Sequence, residues 1–102
     1  MLMANTTELL EALAAEIGEN VYIDVAKWHL YLANAKLHTI VAERMYSLIT
    51  DNSLSENQVK EVLGTISVKI GAGKKEIALL DFLPSQCLVE LMEILEKFQR
   101  EI

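Results

Sequence analysis

Apolar residues recur along this chain at two spacings, and the changes between them mark out its elements. From Leu9 to Ile17 the step is helical. Leu9, Leu10, Leu13 and Ile17 form a stripe, with Glu8, Glu11 and Glu16 turned to water. Asn5, Thr6 and Thr7 offer N-caps in front of this run, and Gly18 is placed to close it as a left-handed C′ residue. The next stretch, residues 24–50, reads DVAKWHLYLANAKLHTIVAERMYSLIT and contains neither Gly nor Pro. Ala, Leu, Lys, Glu and Met dominate it, which predicts one long central helix with Asp24 as N-cap. Val21-Tyr22-Ile23 reads either as a strand or as an early turn of that helix. The helical reading, starting close to Asp24 or somewhat before it, is the expectation.

At about 100° per residue, the central stretch is apolar on two sides. Ala26, Leu30, Ala33, Leu37, Val41 and Leu48 share one wall. Trp28, Tyr31, Ala35, Ala42, Tyr46 and Ile49 share a second, nearly opposite. A helix apolar on two faces is a central helix, sandwiched between neighbours or lying partly in an oligomer interface. Trp28, Tyr31, Tyr46 and Ile49 are therefore the interface candidates. Between the walls, Lys27, Tyr31, Asn34 and His38 follow one another at steps of four, three and four, which places them on one side of a helix. They are the ligand-binding candidates. The competing reading, and the more ordinary one, is a solvated seam bonded to neighbouring backbone.

Beyond Thr50, Asp51-Asn52-Ser53 breaks the pattern with turn-forming side chains. Ser55 and Gln58 then fit a capping box for a short helix over about 56–63, with Val59, Val62 and Leu63 inward and Gly64 loosening its end. Period-two alternation follows: Ile66-Ser67-Val68-Lys69-Ile70, a Gly71-Ala72-Gly73-Lys74 turn, then Lys75-Glu76-Ile77-Ala78-Leu79. Two alternating runs around Gly-x-Gly predict a hairpin. A lone hairpin is marginal in water, so it must pack on helices or pair across a dimer. The Gly-Lys pair in the turn lacks the spacing and the following helix that a phosphate loop needs. Pro84 suits the first turn of a last helix over about 85–100, with Leu88, Leu91, Met92, Leu95 and Phe98 as its core stripe.

The fold class expected is α+β and mostly helical: four helices, one of them the long central helix, plus one β-hairpin, in a single domain over residues 1–102. A 102-residue chain has room for one real core. Its hydrophobic fraction of 52% and mean hydropathy of +0.25 are high for a chain this short. Either the surface is unusually apolar or part of it is covered by a partner, and the partner is the favoured reading. The net charge of −6 argues against nucleic acid, which needs dense Lys and Arg, and against an anionic membrane surface. No stretch long enough to span a membrane is free of charges. The first residues lack the basic start and apolar core of a secretory signal. A cytoplasmic protein is expected.

Strong chemical motifs do not occur. One cysteine excludes an internal disulfide and a cysteine-based zinc cluster. Cys87, in the first turn of the last helix, has no basic neighbour in sequence and reads as an inert, partly buried thiol. His29 and His38 point about 180° apart on a helix, so they cannot share an ion within one subunit. No metal and no cofactor are expected. His38 with Tyr31 or Asn34 makes a conceivable acid–base set, yet no nucleophile stands beside it and no serine carries a nucleophile-elbow pattern. An enzyme is the less favoured reading.

The phrase Val21-Tyr22-Ile23-Asp24-Val25-Ala26-Lys27-Trp28-His29-Leu30-Tyr31-Leu32 carries a resemblance. So does the block from Ile70-Gly71-Ala72-Gly73-Lys74-Lys75-Glu76-Ile77-Ala78-Leu79 through Phe82-Leu83-Pro84. Both resemble a small family of uncharacterised cyanobacterial proteins whose relatives extend to the plastids of photosynthetic organisms. The likeness spans nearly the whole chain. It implies a cyanobacterial source and a role near photosynthesis, and transfers neither an activity nor a functional residue. The function expected is that of a non-enzymatic interaction, assembly or accessory protein, working with a protein partner or as a homodimer. The alternative is a small-ligand binder or enzyme built on Lys27, Tyr31, Asn34 and His38.

Overall fold

The structure, a computed structural model, describes residues 6–25, 28–70 and 75–101. In chain order these form α1 (Thr6–Asn20), β1 (Tyr22–Val25), β2 (Trp28–Tyr31), α2 (His38–Thr50) and α3 (Glu56–Thr65). Then come β3 (Ser67–Ile70), β4 (Lys75–Ala78), α4 (Leu79–Phe82) and α5 (Ser85–Glu101). The molecule is thus α+β and mostly helical, with four substantial helices, a one-turn helix and two separate antiparallel hairpins among the described residues.

The long central helix does not form. Its first half is the β1–β2 hairpin, with Tyr22 opposite Tyr31, Ile23 opposite Leu30 and Asp24 opposite His29. The residues explain the change: Val21, Tyr22, Ile23, Val25, Trp28 and Tyr31 are β-branched or aromatic and suit a pleated surface. Burial also alternates among the described side chains of 21–32. Val21, Ile23 and Leu32 are buried, whereas Asp24, His29 and Tyr31 are exposed, the period of a half-buried strand. Leu32 N–H donates to the Val21 carbonyl at 3.0 Å and continues the ladder.

Residues 32–37 then make a closed turn. Leu37 N–H donates to Leu32 O at 2.9 Å, Lys36 N–H donates to Ala33 O at 3.2 Å, and Lys36 sits at φ 60°. Those two bonds around one left-handed residue are the Schellman pattern that normally ends a helix. The pattern recurs where α2 really ends: Ser53 N–H to Leu48 O, Asn52 N–H to Ile49 O, and Asn52 at φ 57°.

Helix α1 runs two residues past Gly18, which is therefore interior to the helix rather than its cap. The glycine serves close approach. A Cβ there would stand 2.9 Å from the Cβ of Ala33 and 3.0 Å from that of His38. Its carbonyl accepts from Ala33 N–H at 3.2 Å, locking α1 onto the turn before α2.

The remaining elements follow the sequence pattern. Ser55 caps α3, its Oγ accepting from Gln58 N–H at 3.2 Å. Gly64 lies inside that helix. The β3–β4 hairpin pairs Ser67 with Ala78 and Ile70 with Lys75; its turn, 71–74, lies outside the described residues. Helix α4 inserts Leu79 fully into the core. One cluster of buried side chains unites the elements: Leu13 and Ile17 of α1, Val41 and Met45 of α2, Val59 and Leu63 of α3, and Leu91 and Leu95 of α5.

Candidate functional site

The four ligand-binding candidates rest on a helical phase that residues 28–37 do not have. Tyr31 ends β2 and is 41% exposed, Asn34 lies exposed in the turn, and His38 opens α2. Lys27 lies outside the described residues. Among the described residues no hydrogen bond or ring contact joins Tyr31, Asn34 and His38. His38 is half-buried against Gly18, and among the described residues its buried Nδ1 has no hydrogen-bond partner. Among the interface candidates, Tyr46 is half-buried at the edge of the core and Ile49 is 5% exposed, packed into its own protomer. Trp28 is placed by its backbone in β2.

Strand pairing instead gathers a polar and aromatic face that helical reasoning missed. Asp24 and His29 are cross-strand partners, and the Asp24 carboxylate pairs with His29 Nδ1. The Tyr22 ring meets the His29 ring edge-on at 4.7 Å between centroids and the Tyr31 ring at 5.5 Å. Such edge-to-face pairs add modestly to area burial. Gln86, in the first turn of α5, donates from Nε2 to Tyr22 Oη at 3.1 Å and ties the hairpin to that helix. Partial burial, first, and then the nearby Cys87 thiol and Asp24 carboxylate hold the Tyr22 phenol above its usual pKa. Cys87 itself is buried. The signal that would have revealed this face is period-two reading of 21–32, which puts Tyr22, Asp24, His29 and Tyr31 together.

Chemically this face can hydrogen-bond and stack. Its His–Asp pair stands in solvent, both side chains about half exposed or more, and the described pockets lie elsewhere on the molecule. Among the described residues no group of three or more His, Cys, Asp or Glu is arranged to hold a metal ion. A second surface feature lies on α5, where Leu88, Val89 and Met92 floor an open groove edged by Glu56, Glu93 and Glu96.

Comparison with known proteins adds two findings. A family model described as "Protein of unknown function (DUF3181)" matches residues 10–98. A thylakoid-associated protein of Synechocystis sp. (strain ATCC 27184 / PCC 6803 / Kazusa) is 48% identical over 97 residues, covering 95% of this chain and 96% of that protein. No solved structure matches the chain.

Proposed function

We propose, for a chain that belongs to the DUF3181 family of proteins of unknown function, that it is a non-enzymatic accessory or assembly protein acting by association at photosynthetic membranes. It works there as a cytoplasmic subunit of a larger complex or as a homodimer. The observation that carries this reading is the relative whose own name makes it thylakoid-associated, similar to this chain along nearly the whole length of both. No helix among the described residues is long and apolar enough to cross a membrane. Attachment through the surface of the protein is the route proposed, with Tyr31 and Tyr46 as aromatic contacts. Ile49 does not join them, because it is spent on the core.

The test is fractionation of a cyanobacterial host expressing the tagged chain, followed by cross-linking mass spectrometry. Recovery with thylakoids, release by high salt and a stoichiometric cross-linked partner or dimer are expected. A protein found wholly in the soluble fraction, monomeric by light scattering and without cross-links, would overturn the reading.

The alternative is a small-ligand binder or enzyme using Lys27, Tyr31, Asn34 and His38. It is favoured by the buried, unpartnered Nδ1 of His38, an atom that a ligand donor or acceptor would satisfy. A ligand that raises the melting temperature of the wild type but not of His38→Ala would establish it.

A further inference from the structure

Helix α5 is apolar over more of its circumference than the core takes up. Leu91, Leu95 and Phe98 are buried, whereas Leu88 and Met92 stand at the edge of the core. Val89 is 59% exposed. Helical spacing accounts for this, since Leu88 and Met92 are one turn apart on the flank and Val89 lies about 100° beyond Leu88. The three side chains floor an open groove of about 270 Å³, and Glu56, Glu93 and Glu96 line its rim. Glu56 is shared with Lys60 at 3.1 Å. Among the described residues Glu93 and Glu96 have no ion-pair partner. Lys97 follows them directly, but its ammonium is held by Glu16 of α1 at 2.9 Å. Arg100, one turn beyond Glu96, does not line the groove.

We infer that this groove docks a short protein segment in which one or two apolar anchors are flanked by Lys or Arg. Contact between the anchors and the Leu88–Val89–Met92 floor removes apolar surface from water. The carboxylate rim attracts cationic flanks and repels acidic ones, which decides the partner more than it adds affinity. The same sign tells against other occupants. A second copy of this chain brings a net charge of −6 and the same acidic rim, and an anionic lipid surface would be repelled in the same way. The inference rests on the reading that the protein works by association and specifies the chemistry of its partner.

The experiment is an NMR titration of the full-length ¹⁵N-labelled chain with a synthetic peptide of two leucines set among lysines. A matched peptide has the leucines replaced by serine. Shifts confined to the neighbourhood of Leu88, Val89, Met92, Glu93 and Glu96 are expected. Binding weaker by about tenfold for the serine peptide, for Val89→Asp and for the Glu93→Lys/Glu96→Lys double variant is also expected. Glu11→Lys, on another face, should bind as the wild type does. Thermal melting confirms that each variant is folded. Equal binding of the serine peptide, or shifts spread over the whole acidic surface, overturns the inference. So does a shift pattern that appears on concentration alone and disappears in Val89→Asp, because it makes the groove a self-association surface. In the cyanobacterial host, Val89→Asp should leave the thylakoid fraction. A variant that stays there while the wild type is present removes the groove and keeps the association reading. A wild type absent from that fraction removes the association reading itself, whatever the peptide does.

Discussion

A methyl group at Gly18 would meet the Cβ atoms of Ala33 and His38 at 2.9 and 3.0 Å, and neither neighbour is the far end of a flexible side chain. Gly18→Ala therefore sets a gain in helix propensity of up to ~1 kcal/mol against an overpacking cost of about 1–3 kcal/mol. The clash should win. A net loss of up to about 2 kcal/mol in urea unfolding is the expected outcome. Gly64 is the control, because a Cβ there meets nothing within 4 Å, and Gly64→Ala should stabilise by about 0.5–1 kcal/mol. At Tyr22 the argument concerns pH. Both Tyr22 and Lys97 have pKa values raised in the folded protein, Tyr22 chiefly by desolvation and Lys97 chiefly by its bond to Glu16. A raised folded-state pKa contributes stability that is fully present below the unfolded value and is lost as pH rises through the folded value. The urea midpoint should therefore fall above about pH 10. Tyr22→Phe should show a shallower alkaline fall and, at neutral pH, the loss of the Gln86 bond.

At the scale of the element, the turn at 32–37 separates the β1–β2 hairpin from α2 within what composition alone reads as a continuous helix. Lys36 occupies a left-handed position that glycine would take without strain. Lys36→Gly should leave stability at or slightly above the wild type. Lys36→Val, β-branched at φ 60°, should cost about 1–2 kcal/mol in thermal or urea unfolding. This is also where the sequence was hardest to read. Helices α1, α3 and α5 and the β3–β4 hairpin were legible, because Leu13 and Ile17, the Ser55 cap and the alternation around Gly71-Ala72-Gly73 each declare a local period. Residues 21–37 declare two periods at once. Ala33, Ala35 and Leu37 favour helix, Val21, Tyr22, Ile23 and Val25 favour strand, and a lysine, with no Gly or Pro to mark it, makes the turn. Helical spacing is what groups Lys27, Tyr31, Asn34 and His38 in the sequence, whereas the contact of Tyr22 with His29 and Gln86 depends on pairing between strands and on a helix more than sixty residues away.

The whole molecule measures 48 × 24 × 21 Å with a radius of gyration of 13.6 Å, close to the ~13 Å usual for a chain near 100 residues. Its core depends on side chains from both ends of the sequence. Leu91 and Leu95 are fully buried in the same cluster as Leu13 and Ile17. Leu91→Ala should cost about 2–5 kcal/mol, read as a lowered melting temperature, a large share of the ~5–15 kcal/mol that holds such domains. Helix α5 is tied to α1 by the Lys97–Glu16 pair and to the first hairpin by the Gln86–Tyr22 bond. That long-range closure sets a timetable during translation. At roughly 5–20 residues per second, the apolar stripe of α1 leaves the ribosome roughly 4–16 s before α5 does. Through that interval the α1 stripe can pack on α2, but the part of the core that Leu91 and Leu95 fill stays open. A chain cut before α5 lacks those two fully buried leucines and should melt well below the intact protein.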